Sequence, residues 1–193
     1  IIMKKILFTL TLSLLTIISF AQAPTFTLSE EKPTFPNQFV AIEVDELTIP
    51  DGYNRALEWI NITYNTPSEV IKSQLENKYI RIEGIVQNFY PYDVLNTMFA
   101  SLRYTIEFKF KENRVKFDLI DTEYFIPSGQ YNAATWVNLE FLNSKMYKKN
   151  GKPKKAYAKK ARKVMTYFNE LVLSMDTYLK KPIEETESGN DDW

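Results

Sequence analysis

The sequence predicts an α+β fold in which two helices cover one face of a curved antiparallel sheet. Residues 101–111 alternate strictly between apolar and polar side chains, as expected of a strand with one buried and one solvated face. Toward the C-terminus, apolar residues recur at alternating spacings of three and four positions and predict a long amphipathic helix. The inferred order of strand, helix, four strands and long helix allows both helices to pack on the same face of the sheet.

The N-terminal segment has the layout of a secretory signal peptide. Lys4 and Lys5 precede an apolar run over residues 6–20, and small residues follow. That run is shorter than the roughly 20 residues of a membrane span, so we expect cleavage after Ala21 and not a retained anchor. Residues 1–21 are therefore predicted to be a signal peptide. The mature chain is predicted to be exported, periplasmic or secreted, without a transmembrane segment.

The mature chain is predicted to hold a single α+β domain over residues 38–180. A proline-containing leader over residues 22–37 is expected to lie on the surface of this domain. The acidic residues of 181–193 are expected to form a disordered tail. Within the domain, the first strand begins near Phe39, and Asp51 is placed to cap the helix that follows.

Two hairpins follow the first helix. Residues 69–75 and 79–89 flank a short polar turn, and Gly84 in the second of these strands predicts a bulge or a sharp bend. Residues 101–111 and 114–125 form the next pair of strands, separated by a tight turn. Their apolar positions are expected to face the helices.

The last part of the domain is predicted to be helical. Residues 131–142 are interpreted as a short helix within a helical insertion over residues 131–150. A long helix is expected from Lys154 to Leu179. Trp59, on the first helix, lies off the main apolar stripe and is predicted to seal the rim between helix and sheet.

Three stretches carry a resemblance to a known family: YNRALEWI (53–60), YIRIEG (79–84) and YTIEFKFKENRVKF (104–117). Through them, the chain from Phe39 to Phe125 resembles a bacterial family of exported proteins of unknown function with a TATA-box-binding-protein-like (TBP-like) fold. The resemblance implies that fold and an exported location. It implies no catalytic residues.

Composition excludes several kinds of chemistry. The chain has no cysteine and no histidine, which rules out disulfides, thiol nucleophiles, histidine-dependent catalysis and zinc sites of the Cys/His type. The formal net charge is zero, so no overall field would attract a polyanion. We therefore predict no cofactor and no metal site, and the composition favours a binding domain over an enzyme.

The polar face of the predicted sheet is the leading candidate for a binding surface. Its charges are mixed and no aromatic platform is expected there, which argues against contact with nucleic acid. The residues expected on this face include Arg81, Glu83, Arg103, Glu107, Lys109 and Lys116. The leading hypothesis is an exported, non-catalytic binding domain that contacts an envelope protein or a glycan through this face or through a sheet edge.

A cluster of acids provides the alternative hypothesis. Asp121 and Glu123 are predicted to share a strand face near Asp118, and two carboxylates could serve as acid and base in a hydrolase acting on envelope polymers. Paired carboxylates could also bind calcium. Nothing in their spacing requires either role, and exposed acids at a strand end are common.

A basic tract begins the long helix. On a helical projection its charges point away from the apolar stripe, which is typical of a solvated helix face. The same side chains could instead form a polyanion patch that makes peripheral contact with an anionic surface. The residues concerned are Lys155, Lys159, Lys160, Arg162 and Lys163.

Overall fold

The computed structural model describes residues 23–26, 38–91, 98–129, 133–138 and 154–182. The predicted signal peptide lies outside these ranges, as do most of the predicted leader and nearly all of the tail. No helix within the described ranges is long and apolar enough to cross a membrane.

The described residues form six strands and three helices. In chain order these are β1 (Gln38–Glu43), α1 (Ile49–Thr63), α2 (Pro67–Val70), β2 (Ile71–Leu75), β3 (Tyr79–Pro91), β4 (Phe99–Lys111), β5 (Arg114–Ile126), β6 (Thr135–Asn138) and α3 (Lys155–Leu179).

The strands form one open antiparallel sheet in the order β1-β5-β4-β3-β2, and β6 also pairs with β5. Strands β1 and β6 occupy successive parts of the same edge of β5, since β1 pairs with residues 114–119 and β6 with residues 123–126. Helices α1 and α3 pack together on one face and close the core against β3, β4 and β5. The α+β class and the two-helix layer are as predicted.

The buried face of the sheet follows the predicted alternation. On β4 the side chains of Leu102, Tyr104, Ile106, Phe108 and Phe110 are all buried. On α3, the predicted apolar positions Val164, Phe168 and Met175 are also buried, whereas Leu171 and Tyr178 are partly buried. Burial of this apolar surface is the main term that stabilises the fold.

Helix α1 begins earlier than predicted. Its N-cap is Thr48, whose hydroxyl oxygen accepts a hydrogen bond from the backbone N–H of Asp51 at 3.2 Å, so Asp51 lies in the first turn and is not the cap. Pro50 occupies that turn without loss, because the first N–H groups of a helix have no intrahelical partner.

Trp59 is a core residue and not the predicted rim residue. Its side chain is 0% exposed, and its indole N–H donates to the hydroxyl oxygen of Ser174 on α3 at 3.1 Å. The ring meets Phe108 edge-on at 5.8 Å. Trp59 therefore joins both helices to the sheet.

A bulge at Ile120 sets the faces of β5. Leu119 pairs with Ile106, whereas Asp121 pairs with Thr105, so one residue of β5 has no counterpart on β4. If the pairing continued past Leu119 without a bulge, Asp121 would lie opposite Tyr104 and point into the core. The bulge instead places it on the open face of the sheet, as the sequence predicted.

Gly84 does not mark the predicted bulge or bend. The pairing of β3 with β4 runs without a shift from Tyr79 to Val86, and the irregularity comes only after Val86. Gly84 instead lies opposite Tyr104, whose ring occupies the space of the missing side chain: a Cβ built on Gly84 would lie 2.2 Å from Tyr104 Cζ.

The prediction of a helical insertion is wrong for residues 135–138, which form β6. The segment TWVN is rich in aromatic and β-branched side chains, which favour a strand when a free sheet edge is available. The ring of Trp136 packs on Phe125 at 5.2 Å between centroids. The rest of the insertion, residues 139–150, lies outside the described residues.

One residue of the described part of the leader, Phe26, does not lie on the surface as predicted. Phe26 is only 4% exposed and meets the rings of Phe117 and Phe168 edge-on, at 5.9 and 6.5 Å. The side-chain amide of Asn169 holds its backbone, accepting from the N–H at 2.7 Å and donating to the carbonyl at 3.2 Å. The core therefore includes a residue from before the domain's first strand.

A candidate binding cleft and the open sheet face

Three tyrosine hydroxyls form a hydrogen-bonded chain at one end of the helical layer. Tyr104 on β4 lies at its centre, 3.0 Å from the hydroxyl of Tyr64 and 2.9 Å from that of Tyr167. Tyr64 is the C-cap of α1, and Tyr167 lies on α3. This chain of three hydroxyl groups thus joins both helices to the sheet.

Gly84 permits this arrangement. Because it has no Cβ, the ring of Tyr104 can lean across β3 toward the outer edge of the strand. Any larger residue would overlap the phenol. The hydroxyl of Tyr104 therefore reaches Tyr64 and Tyr167.

All three phenols stay neutral at physiological pH. Burial is the main cause that raises the pKa of Tyr64, Tyr104 and Tyr167 above the ordinary value, because the phenolate would lose its hydration. In Tyr64 the hydrogen bond with Tyr104 lowers the pKa by less than burial raises it. The chain therefore consists of uncharged donors and acceptors.

The tyrosine chain forms the floor of a cleft of about 610 Å³. The cleft lies between the C-terminal end of α1, α2, α3 and the outer edge of β3. Its apolar wall is made by Val70 and Leu171, and Ile85 borders it on the edge of β3. Its polar rim includes Lys72 and Glu83, which form an ion pair at 3.6 Å.

The cleft lies beside an open sheet edge. Strand β2 pairs with β3 only as far as Ile82, and no described strand pairs with the outer edge of β3 over residues 83–86. Ile85 in this stretch is 50% exposed. Free backbone N–H and C=O groups beside an exposed apolar side chain form a surface onto which another strand can add.

The predicted charged face is present, but its charges are largely paired with one another. All six predicted residues lie on the face opposite the helices, as the strand register requires. Arg81 and Lys109 both contact Glu107, at 2.5 and 2.7 Å, and Arg103 contacts Glu123 at 2.5 Å. A partner that binds this face through charge would have to displace these contacts.

Glu107 is 6% exposed although it lies on the open face. Burial raises the pKa of its carboxyl, but hydrogen bonds and charge from Lys109 and Arg81 lower it by more, so the pKa lies below the ordinary value. Glu107 is therefore the anionic centre of a cross-strand cluster.

The expectation that this face has no aromatic platform is wrong. Phe125 and Trp136 lie together at the β5–β6 corner, and the guanidinium of Arg103 lies 4.2 Å from the centre of the Trp136 ring. Phe39 is also exposed here, with Lys116 over its ring at 4.2 Å. Both aromatic groups are thus already in contact with a cation of the same face.

The carboxylates of the alternative hypothesis have structural partners. Asp121 Oδ1 accepts from the backbone N–H of Thr122 and from the side-chain amide of Asn138, both at 2.8 Å, and so connects β5 to β6. Glu123 is paired with Arg103. Among the described residues, no group of three or more acidic side chains is placed to hold a metal ion.

The basic tract at the start of α3 contains both exposed charges and one that contacts β3. Lys155, Lys159 and Arg162 are exposed, while the side chain of Lys160 lies outside the described residues. Lys163 donates to the backbone carbonyl of Phe89 and lies 4.8 Å from its ring centre. It therefore fastens α3 to the end of β3.

A second cleft, of about 600 Å³, lies at the C-terminal end of α3. Arg55 of α1 is buried there and donates from Nη2 to the backbone carbonyls of Tyr178 and Lys181. Tyr178 lies in the last turn of α3 and Lys181 follows the helix. Arg55 thus binds α1 to the end of α3.

The tyrosine chain and its cleft were not predicted from the sequence. By periodicity, Tyr64 belongs to the apolar stripe of the first helix and Tyr104 to the buried face of β4, so neither marks a polar site. A usable signal was Gly84, since a glycine inside a strand can mark a close approach of a neighbouring side chain as well as a bulge. Choosing between a bulge and a close approach at Gly84 requires the register of β3 against β4.

Comparisons with known proteins address the family and the fold. A family model described as a domain of unknown function (DUF4468) with TBP-like fold matches residues 40–125. Residues 40–125 form a DUF4468 domain. This DUF4468 domain spans β1 to β5 and agrees closely with the stretch that carried the resemblance in the sequence.

Two solved structures share the fold of this chain. A DUF4468 family protein from Bacteroides ovatus ATCC 8483 is 15% identical, with a TM-score of 0.59, over 75% of this chain and 86% of that one. A TBP-like protein from Parabacteroides distasonis ATCC 8503 is 14% identical, with a TM-score of 0.53, over 74% of this chain and 90% of that one. A comparison with curated proteins finds no match. At these identities the likeness shows the DUF4468 fold alone.

Proposed function

We propose that the protein is an exported, non-catalytic binding domain that takes an extended segment of a partner protein along the outer edge of β3, beside the tyrosine cleft. One observation carries the proposal: β3 continues past the end of its pairing with β2, and this free stretch borders the cleft. Export rests on the features of residues 1–21 described above.

The chemistry of the edge suits strand addition. In an edge strand, alternate residues direct their N–H and C=O groups outward, and an incoming strand can satisfy them. Side chains of the incoming strand would alternate between the two faces of the sheet. Those on the helical face would enter the cleft, and those on the other face would lie near Ile85.

The remaining surfaces are less suited to a partner strand. The outer edge of β2 is interrupted by a bulge at Lys72 and carries mainly polar side chains, features that discourage edge pairing. The open charged face already satisfies its own charges, most clearly at Glu107. The edge of β3 combines free backbone groups with apolar surface.

The test is a selection followed by a backbone-methylation scan. A display library of random octapeptides is panned against the chain lacking residues 1–21, and the enriched peptides are resynthesised with N-methyl groups on every second residue, in either phase. Strand addition predicts that methylation in one phase abolishes binding and that the other phase leaves it nearly unchanged, because only one set of N–H groups faces β3.

Point variants locate the binding edge. Ile85→Lys, which adds charge beside the free stretch of β3, should weaken the selected peptides. Leu75→Lys is the matched control, since it adds the same charge at a comparably exposed position on β2. The proposal fails if no peptide is enriched, if both methylation phases bind equally, or if the two lysine variants behave alike.

A further inference from the structure

We infer that the cleft selects a neutral amide side chain, such as that of glutamine or asparagine, on the bound segment; this inference rests on the proposed function and specifies what its site recognises. The evidence is the composition of the cleft: an uncharged hydroxyl chain as its floor and apolar side chains as its wall.

A count of hydrogen bonds explains why an amide fits. Each phenol has one proton to donate and lone pairs that accept. Two bonds join the three hydroxyls, so two of their three protons are used within the chain and one remains. If both bonds run in the same direction, Tyr64 or Tyr167 offers that proton and the opposite end offers a lone pair; if both ends donate to Tyr104, the proton stays on Tyr104 and both ends offer lone pairs. A primary amide carries both the matching acceptor and the matching donor.

The surroundings disfavour a charged group on the floor. The nearest described rim charges, Lys72 and Glu83, already pair with each other, and Glu69 lies exposed beside Thr66, whose hydroxyl donates to it at 3.4 Å. An anion on the floor would lose its hydration without gaining an opposite charge, and a cation would have only the exposed carboxylates of Glu69 and Glu170 nearby, whose charges water screens. A purely apolar side chain would leave the free phenol proton unpaired.

The experiment uses small probes that do not depend on the sheet edge. Butyramide, butyrate and butylammonium, which are similar in size, are titrated into the mature chain, and binding is followed by NMR shifts of Val70 and Leu171. We expect butyramide to bind about five- to tenfold more tightly than either ion, the range that one or two net hydrogen bonds provide.

A variant identifies the groups responsible. Tyr64→Phe/Tyr167→Phe keeps both rings and removes the end hydroxyls, and it should abolish the preference for butyramide. Tyr178→Phe is the control, because this phenol lies on α3 away from the cleft and donates to Glu58.

The outcomes separate the two proposals. Tighter binding of either ion, equal binding of all three probes, or an unchanged preference in the double variant overturns the inference, even if peptides add to β3. A preference for butyramide that requires the end hydroxyls supports the inference. This holds even if the peptide selection fails, because that failure would refute only the strand-addition proposal.

Discussion

Tyr104 lies across Gly84 on the neighbouring strand, so that the phenol ring of one residue fills the space where the other has no side chain. The pair determines where the tyrosine chain lies. It also brings a polar group of a central strand to the outer edge of the sheet.

Gly84→Ala should destabilise the fold because its Cβ would overlap Tyr104 Cζ, 2.2 Å away, and the buried ring must move. We expect a loss of about 1–3 kcal/mol in the free energy of unfolding, measured by urea denaturation. In a Tyr104→Ala background the same change should cost much less. Additive losses in the double variant would contradict the pairing described here.

Glu107→Gln should destabilise the protein at neutral pH and much less in acid. The folded-state pKa of Glu107 lies below the ordinary value, so its ionised form contributes stability above that ordinary value, and the contribution is lost as pH falls through the folded-state pKa. We expect a deficit of about 1–2 kcal/mol at pH 7, since Arg81 and Lys109 are partly exposed, and a smaller one at pH 3. Glu112→Gln, in an exposed turn, is the control. An equal deficit at both pH values would refute the role assigned to the cluster.

Phe26→Ala should cost about 3–5 kcal/mol of unfolding free energy, the usual range for removing a buried phenylalanine. Asn169→Asp should cost less, because it keeps the acceptor for the N–H of Phe26 and loses only the donor to its carbonyl. Thermal melts of both variants measure the two losses of stability, with Asn54→Asp at an exposed position as the control. A Phe26→Ala variant as stable as the parent would exclude the leader from the core.

Asp121→Ala should loosen β6 locally. It removes the acceptor for the side-chain amide of Asn138, so the backbone amides of Thr135–Asn138 should exchange hydrogen faster while the exchange of β4 is unchanged. Trp136→Ala should act similarly by removing the contacts with Phe125 and Arg103. Slower or unaltered exchange in both variants would argue against these contacts between β5 and β6.

A glycan and ester cleavage panel on the parent and on Asp121→Asn tests the hydrolase alternative, and we expect no turnover by either.

The elements that depend on local periodicity could be predicted from the sequence. Strand β4 and helix α3 each repeat their pattern over many residues, so both their type and their buried faces were correct. The charged residues of the open face followed from the same alternation. Their mutual pairing did not, because it depends on which residue of β3 lies opposite which residue of β4.

The features that failed depend on distant partners. Residues 135–138 become a strand because β5 offers a free edge, and Phe26 becomes a core residue because Asn169, far along the chain, holds its backbone. The sequence of a short apolar segment does not indicate which distant residues it will contact. The cleft was missed for the same reason, since its floor joins Tyr64, Tyr104 and Tyr167 from three different elements.

The extra residue at Ile120 has a consequence for how this sequence can vary. If β5 paired with β4 without the bulge and with all its residues, the second half of β5 would shift by one position, turning Tyr124 toward solvent and Glu123 toward the core. Deletion of Ile120 would instead give continuous pairing and leave the later side chains on their present faces, because the number of residues opposite β4 keeps the end of the hairpin in phase with its beginning.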